Sequence, residues 1–503
     1  MKPSPKDSFQ KTPSGIEGLD EITQGGLPTG RPTLICGSAG CGKTLLGMQF
    51  IVKGILEHHE PGVFMSFEES GKDLVQNVKS LGFDLDALIA KDQLRIDMVR
   101  IERSEIEETG EYDLEGIFIR LNHAIDSIGA KRVVLDTVES LFGGMENVTL
   151  LRSEIKRLFQ WLKDKGVTAI ITGERGEKSL TRQGLEEYVS DCVILLDFRV
   201  NDQIATRRLR IIKYRGSIHG TNEYPFLIDE TGISVLPITS LKLEHQMSKE
   251  IISTGLPALD KLFLNGGFYR GGSTLVTGTA GTSKTILASY FALSACKRKE
   301  KVLFFSFEES PGQLIRNMAS VGINLEPYIK SKNLIIHASR PSLQGLEMHL
   351  LILHKLIKEH DPKTVIIDPI SSLITIGSCS EVRAMLVRLI DMLKVRQINA
   401  LFTSLIHDQS RNDYSDLTID AISSLADTWI KVRNEEEKGE RTRTLFVVKS
   451  RGIGHSNDLW DFTITGKGIQ LNVRENRPFM QHSGNGREGV SGTKVKRQAS
   501  KKQ

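Results

Sequence analysis

The chain has 503 residues, of which 39% are hydrophobic and 25% are charged, and its formal net charge at pH 7 is +4. This composition is ordinary for a soluble globular protein, and at roughly 100–200 residues per domain the length predicts two to four domains. The small net charge argues only weakly for a nucleic-acid or anionic-membrane partner.

The cysteine content and the lack of long apolar runs limit the class of protein further. The five cysteines include no C-x-x-C pair, so neither a disulfide framework nor a zinc ribbon is indicated, and we expect buried thiols in a reducing compartment. The N-terminal segment is polar, and no 18-residue apolar stretch follows it. These features predict a cytoplasmic protein without a membrane segment.

The first motif along the chain is a glycine-rich loop, GSAGCGKT, at residues 37–44. It fits the pattern G-x-x-x-x-G-K-[ST]. The apolar segment PTLICG before it is a predicted strand, and the segment KTLLGMQFIVKGILE at its end is a predicted helix. Backbone N–H groups of such a P-loop bind phosphates, the lysine reaches the terminal phosphates, and the threonine coordinates Mg²⁺. The residues assigned to a nucleoside triphosphate are Gly37, Gly40, Gly42, Lys43 and Thr44.

Carboxylates follow the next two predicted strands. Glu68 and Glu69 come after VFMSF, and Asp136 ends RVVLD. Because ligands of parallel sheets bind at the carboxyl ends of strands, we expect Asp136 to hold Mg²⁺, directly or through another ligand, and one glutamate to orient or deprotonate water. Glu68 is the favoured base. The alternative is that the acidic pair is a solvated helix start.

A basic motif, KYRGSIH, lies late in this half of the chain. Residues i and i+2 of a strand share a face, so Lys213 and Arg215 are predicted to present paired cations, with His219 beyond them. They are far along the chain from their own P-loop, so the γ-phosphate of a neighbouring subunit is a plausible target. The alternative is a surface charge cluster on an edge strand.

These motifs return in the same order in the second half, at offsets between 232 and 241 residues. Such a fixed period indicates two copies of one domain. The second set contains the nucleotide-binding candidates Gly278, Gly281, Ser283, Lys284, Thr285, Lys449, Arg451 and His455, and the catalytic candidates Glu308 and Glu309. Its magnesium candidates are Thr285 and Asp368, which match Thr44 and Asp136 of the first set, and also Glu308.

The second P-loop, GTAGTSKT, departs from the pattern because Ser283 stands where the late glycine belongs. Either the backbone there avoids positive φ or the loop is displaced. Since the lysine, the threonine and the later aspartate are kept, we expect ATP still to bind.

In each half, short apolar runs alternate with longer amphipathic segments, the pattern of a parallel sheet covered by helices. The fold class is therefore α/β, with P-loop domains at residues 1–245 and 246–475. A basic tail over 476–503 has no apolar period, and disorder is the default expectation for it.

The combination of two P-loops, two FEE pairs, two Asp-ended strands and two K-x-R-G-x-x-H segments resembles the KaiC family of clock ATPases and autokinases over residues 10–470. The resemblance implies tandem RecA-like domains in a homohexamer that binds ATP between subunits. It implies a slow ATPase in the first domain, a reversible autokinase in the second, and Lys213, Arg215, Lys449 and Arg451 as contacts to the neighbour's ATP. A KaiB-like partner is implied as well, although no motif supports it.

An alignment of Asp191 with Asp427 sets Glu187 and Tyr188 opposite Ser423 and Ser424, so only the second half has adjacent hydroxyls there. KaiC-like proteins carry their phosphorylated pair at this position, commonly as Ser-Thr. The resemblance thus implies Ser423 and Ser424 as phosphate acceptors and Glu308 as their base. The alternative is that these serines cap or turn the chain.

Two other functional classes remain open. A recombinase or DNA-repair ATPase would need basic loops, but residues 407–420 hold four Asp against one Arg, which disfavours nucleic acid. An ATP-assembled signalling scaffold is compatible with an autokinase. The tail over 484–503 has six Lys or Arg and one Glu and no match to a KaiA-binding segment, so the resemblance does not extend to a KaiA-like partner.

Overall fold

The structure is a computed structural model and describes residues 9–99, 114–141, 148–176, 180–181, 190–201, 204–237, 248–406, 423–437, 440–466 and 468–474. Several sequence expectations lie outside the described residues. They concern Glu187 and Tyr188, the loop 407–420, the proposed boundary at 245/246 and the tail 476–503.

The first half of the chain forms a nine-stranded sheet with helices on both faces and a separate two-stranded sheet. Its strands are β1 Lys11–Thr12, β2 Leu27–Pro28, β3 Pro32–Gly37, β4 Gly62–Ser66, β5 Leu94–Met98, β6 Arg132–Asp136, β7 Thr168–Glu174, β8 Cys192–Asn201, β9 Ile204–Tyr214, β10 Glu223–Asp229 and β11 Gly232–Val235. Its helices are Leu19–Ile22, Lys43–His58, Gly71–Lys79, Leu85–Ile89, Glu115–Ile128, Val138–Leu141 and Val148–Asp164.

The second half repeats this arrangement. Its strands are β12 Ile251–Ile252, β13 Phe268–Tyr269, β14 Ser273–Gly278, β15 Val302–Ser306, β16 Leu334–Ala338, β17 Thr364–Asp368, β18 Asn399–Leu405, β19 Thr428–Glu437, β20 Glu440–Ser450, β21 Trp460–Thr465 and β22 Gly468–Val473. Its helices are Pro257–Asp260, Lys284–Lys297, Pro311–Ser320, Glu326–Lys330, Leu346–His360 and Cys379–Val395, with 3₁₀ turns at Pro341–Leu343 and Ile370–Thr375.

The two sheets have the same strand order when read from opposite ends. The first is β11-β10-β9-β8-β3-β7-β6-β4-β5 and the second is β16-β15-β17-β18-β14-β19-β20-β21-β22. From β5 to β8, and from β16 to β19, neighbouring strands are parallel, and the remaining strands are antiparallel. The P-loop strands β3 and β14 are the central strands of the two nine-stranded sheets and have parallel neighbours on both sides.

Each sheet has a hydrophobic core on both of its faces. On one face the helix that follows the P-loop contributes buried residues such as Phe50 and Phe291. On the other face lie the later long helices, represented by Leu158 and Leu389. The predicted α/β class, two tandem RecA-like domains with mainly parallel sheets, is confirmed.

The two halves contact each other through the helix Leu346–His360. The Lys355 ammonium donates to Asp229 Oδ2 at 2.7 Å, and Arg208 Nη2 lies 3.0 Å from Glu347 Oε2. Charged pairs of this kind between partly buried side chains fix orientation more than they add stability. The second domain is therefore docked against β9 and β10 of the first.

The structure also bears on two expectations from composition. Four of the five cysteines are buried, and none of the five is in a disulfide. Within the described ranges, no helix is long and apolar enough to cross a membrane.

Candidate nucleotide-binding and catalytic sites

The first P-loop joins the end of β3 to the helix that begins at Lys43. A Cβ at Gly37 would lie 2.5 Å from the Leu196 carbonyl oxygen, so only glycine permits this close approach of the backbone. Gly40, at the turn of the loop, has φ of 73°. The Lys43 ammonium donates to the carbonyls of Gly37 at 2.9 Å and Ser38 at 3.1 Å. The lysine therefore lies over the concave side of the loop, where phosphates of a nucleotide bind.

The second P-loop has the same geometry. Lys284 Nζ donates to the carbonyls of Gly278 and Thr279, each at 2.9 Å, and Gly281 has φ of 75°. Burial lowers the pKa of the Lys284 ammonium, although Asp368 and Glu308 oppose this shift. The loop that lacks the late glycine is thus built like the one that has it.

Ser283 resolves the question raised by that substitution. Its φ and ψ are 71° and 31°, and Gly42 at the same place has 104° and 20°. The expectation that a side chain would keep φ negative is wrong, because the loop holds Ser283 in the left-handed region. The alternative of a displaced loop has no support in the lysine contacts, which are the same in both domains.

Each P-loop threonine meets the aspartate that ends a central strand. Thr44 Oγ1 donates to Asp136 Oδ2 at 2.8 Å, and Thr285 is near enough to Asp368 to oppose the rise in the pKa of that carboxyl. A hydroxyl and a carboxylate this close are two oxygen ligands of the kind that Mg²⁺ uses beside nucleotide phosphates. No cluster of three or more His, Cys, Asp or Glu that could hold a metal occurs in the described part of the chain. The Thr44 and Asp136 oxygens fit a Mg²⁺ shared with a triphosphate, because they are two hard oxygen ligands beside the P-loop.

Two threonines that sequence reasoning missed support these aspartates from the neighbouring strand. Thr172 on β7 donates to Asp136 Oδ1, and Thr403 on β18 donates to Asp368 Oδ1. Burial raises the pKa of both carboxyls, while these hydrogen bonds oppose the shift. The available signal was that the two aligned strands, TAIITG and NALFTS, each carry a threonine near their end.

The two glutamates of each FEE pair have different surroundings. Glu68 Oε1 accepts hydrogen bonds from Thr137 and Ser140 beside Asp136, whereas Glu69 Oε2 accepts from Asn77 of the following helix at 3.2 Å. Glu68 also contributes to the electrostatic shift at Asp136. The first glutamate thus faces the magnesium candidates.

The second domain repeats this division. Glu308 Oε1 accepts from Ser372 at 3.1 Å, and Glu309 Oε1 accepts from Asn317 Nδ2 at 3.2 Å. Ser310, which follows them, caps the helix Pro311–Ser320. Glu309 and Ser310 thus belong to the start of a helix, which was the alternative interpretation of the acidic pair. Glu308 faces the nucleotide site instead.

In each domain the basic motif lies at the end of the sheet where the parallel strands begin, whereas the P-loop lies at the end where they finish. Strand β20 ends at Ser450, which pairs with Thr428 at the start of β19, and Thr428 pairs with Thr274 at the start of β14. Gly278 and the P-loop are at the other end of β14, four residues beyond Thr274, which is about 13 Å along the strand at about 3.3 Å per residue. Lys449 and Arg451 therefore cannot reach the phosphates of their own domain.

The first domain has the same separation. Tyr214, next to Lys213, pairs with Cys192, which pairs with Thr33 at the start of β3. The prediction that Arg215 and Arg451 lie on strands is wrong, because β9 and β20 end one residue earlier and both arginines occupy turns. Their backbone N–H groups donate to the carbonyls of Asp191 and Asp427, each at 2.8 Å.

An aspartate organises the cations at this edge. The carboxylate of Asp427 accepts from Lys394 at 2.9 Å and from the backbone of Ser273 at 2.9 Å. Burial, Arg451 and Lys394 lower the pKa of the Lys449 ammonium, and Asp427 opposes the shift. Because Lys394, Lys449 and Arg451 repel one another, an anion that approaches from outside the domain would be attracted to them.

The two histidines of the basic motifs lie in the loops beyond the arginines. The rings of His219 and Tyr214 are stacked with centroids 6.3 Å apart, and His455 Nδ1 lies 3.1 Å from the Ser456 carbonyl oxygen. Neither histidine is close to a P-loop of its own domain, and a role at a nucleotide stays a prediction.

Ser423 and Ser424 lie at the same edge as Arg451. Ser423 is 8% exposed, Ser424 is exposed, and Arg451 Nη2 donates to the Ser424 carbonyl oxygen at 2.5 Å. The serine pair and the basic motif therefore form one surface, separate from the P-loop of their own domain.

Two P-loops, each with an Asp, a Glu and a strand-end cation pair on a RecA-like sheet, define a tandem P-loop NTPase. A family model described as the KaiC ATPase matches residues 12–240 and again residues 252–476. The chain belongs to the KaiC family, as the motif combination predicts.

Curated relatives match nearly the whole chain. The circadian clock protein KaiC2 of Synechocystis sp. is 54% identical over 92% of this chain and 82% of its own length. The circadian clock oscillator protein KaiC of Parasynechococcus marenigrum is 37% identical, over 92% of this chain and 90% of its own length. The protein of the same name from Synechococcus elongatus is also 37% identical, over 93% and 90%.

Proposed function

We propose that this chain is a circadian clock ATPase whose second domain is also a serine autokinase and autophosphatase. One observation carries the proposal. Each domain has a P-loop, a threonine and an aspartate for magnesium, and a first glutamate, and in the sequence alignment Ser423 and Ser424 of the second domain stand opposite Glu187 and Tyr188 of the first. The relatives named as clock proteins support the clock output.

ATP with Mg²⁺ is the proposed cofactor of both domains. The P-loop amides, Lys43 and Lys284 would bind the phosphates, and the pairs Thr44 with Asp136 and Thr285 with Asp368 would hold Mg²⁺. The metal would neutralise charge on the phosphates during transfer. The close contact of Thr44 with Asp136 supports this assignment, since both oxygens already face one point.

The proposed chemistry is phosphoryl transfer to water in the first domain and to water or serine in the second. The attacking oxygen forms a bond to the γ-phosphorus, the bond from that phosphorus to the ADP oxygen breaks, and the proton passes to Glu68 or Glu308. Return of the phosphate from serine to ADP reverses the same step.

Each ATP site is proposed to lie between two subunits of a homohexamer. The P-loop and the basic motif of one domain are at opposite ends of the parallel strands, about 13 Å apart along the strand direction at about 3.3 Å per residue. Lys213, Arg215, Lys449 and Arg451 would therefore contact ATP held by a neighbouring chain, and so would Ser423 and Ser424. The hexamer and a KaiB-like partner stay predictions, as does the cytoplasmic location.

The proposal is tested by the intact mass of the full chain after incubation with Mg²⁺ and ATP. One or two phosphates should appear on the wild type and vanish in the Ser423→Ala/Ser424→Ala and Glu308→Gln variants. Glu309→Gln is the matched control, because Glu309 is held by Asn317, and it should keep the phosphates. ATP consumption without retained phosphate would refute the autokinase.

Assembly needs its own measurement. Light scattering should give a hexamer in the presence of nucleotide. A monomer under every nucleotide condition would refute the sharing of ATP between subunits.

A further inference from the structure

The two catalytic glutamates differ in how many hydroxyls hold them, and this difference has a single-residue origin. In the first domain, Glu68 Oε1 accepts from Thr137 Oγ1 at 2.8 Å and from Ser140 Oγ at 2.7 Å. In the second, Glu308 Oε1 accepts from Ser372 Oγ at 3.1 Å, and no other donor to it occurs among the described residues.

The missing donor follows from the sequence. Thr137 comes directly after Asp136 at the end of β6, and Pro369 comes directly after Asp368 at the end of β17. Strands β6 and β17 have the same register against the strands that lead to the glutamates, with Asp136 opposite Ser66 and Asp368 opposite Ser306. Proline has no side-chain hydroxyl, so this position supplies a donor to the glutamate in one domain only.

We propose that residues 137 and 369 are positioning residues that decide what each glutamate can serve. Thr137 and Ser140 together hold one oxygen of Glu68, which fixes the carboxylate for a single acceptor, water. With Pro369, Glu308 has one weaker restraint and can turn between water and a serine hydroxyl that arrives from outside its domain.

The physical basis is the loss of rotational freedom at the carboxylate. Two short hydrogen bonds to one oxygen select one side-chain rotamer, whereas a single longer bond permits the terminal torsion to turn. A base must lie within hydrogen-bond reach of each proton that it takes, so one that serves two acceptors needs that freedom. A fixed base is sufficient where the acceptor is always water.

The inference rests on the proposed function of the second domain, and its test separates the two. In the full chain, Pro369→Thr supplies the missing hydroxyl, and Pro369→Val is the matched control with nearly the same shape and without the hydroxyl. Both phosphoserine formation and ATP hydrolysis are measured with Mg²⁺ and ATP. The ratio of phosphoserine formed to ATP hydrolysed should fall about tenfold in Pro369→Thr relative to Pro369→Val, which is the effect of one hydrogen bond to a charged group. The KM for ATP should be the same in both variants.

The reciprocal test uses the first domain in a chain whose second site carries Glu308→Gln. Thr137→Val should lower kcat for hydrolysis at unchanged KM, and Thr137→Ser, which restores a hydroxyl, should recover it. If either Pro369 variant fails to fold, this pair still decides the matter.

The outcomes are distinct. Absence of phosphoserine from the wild type would refute the proposed autokinase. Wild-type phosphorylation with equal ratios in Pro369→Thr and Pro369→Val would overturn the positioning role and leave the autokinase standing. Failure of Thr137→Ser to recover kcat would also overturn it.

Discussion

The left-handed Ser283 makes a quantitative prediction about stability. A residue with a Cβ costs about 1–2 kcal/mol in this region, and glycine gives back about 0.5–1 kcal/mol of that in chain entropy. Ser283 also makes no side-chain hydrogen bond at the helix start. Ser283→Gly should therefore stabilise the second domain by about 0.5–1 kcal/mol, which corresponds to a rise in Tm of about 1–4 °C for a domain of this size.

The first domain supplies the reverse substitution. Gly42 has φ of 104°, and a Cβ there would lie 3.0 Å from Ile228 Cδ1. Gly42→Ser should lower the stability of the first domain by at least about 0.5–1 kcal/mol, the same difference between left-handed strain and glycine entropy, with the close Ile228 contact adding to it. The pair of variants tests one cause in both directions.

The assay follows thermal unfolding by tryptophan fluorescence without nucleotide, because ligand binding would shift Tm by mass action. The chain has three tryptophans, and only Trp161 is in the first domain. Ser283→Gly is measured in a Trp161→Phe background, where Trp429 and Trp460 report the second domain alone, and Gly42→Ser is measured in a Trp429→Phe/Trp460→Phe background, where Trp161 reports the first. A lower Tm for Ser283→Gly, or no change for Gly42→Ser, would refute the argument from backbone strain.

Three further outcomes are expected. Lys449→Met should raise Tm without nucleotide at neutral pH and abolish second-domain activity. Because the pKa of the Lys449 ammonium is lowered in the folded chain, the gain in Tm should shrink as the pH rises toward the pKa of this lysine in the unfolded chain. A gain in Tm that stays constant with pH would contradict this. Glu60→Ala should cost about 3 kcal/mol of first-domain stability, since it leaves the fully buried Arg132 guanidinium without its carboxylate; calorimetry checks this, with Glu57→Ala as the exposed control. Lys355→Met should accelerate proteolysis at the domain junction, and an unchanged rate would argue against docking by that ion pair.

Motifs with fixed spacing made much of this molecule predictable. The P-loop strand, its helix and the Asp-ended strand follow from local apolar runs and glycines, and the structure has them at the expected residues. The repeat offset then carried the prediction from one half of the chain to the other. Alpha/beta class and tandem organisation needed nothing more than this.

Other features depend on contacts between distant segments. The hydroxyls of Thr172 and Thr137 reach their carboxylates only after strands β4, β6 and β7 have paired, and the one sequence signal, a threonine near the end of two aligned strands, marks Thr172 but not Thr137. The ends of β9 and β20 were misjudged at Arg215 and Arg451 because basic residues fit a strand edge as well as a turn. At Ser283 a general preference of L-residues for negative φ was overridden by the loop that surrounds it.

The separation of the two sheet edges has a genetic consequence. A chain whose P-loop is inactivated by mutation still has an intact basic motif, and a chain whose basic motif is inactivated still has an intact P-loop. In the proposed hexamer, where ATP lies between subunits, some boundaries between such chains would combine an intact P-loop with an intact basic motif. Two alleles that are each silent alone should therefore restore part of the activity in a cell that expresses both, and no mixture of two P-loop alleles affecting the same domain should do so.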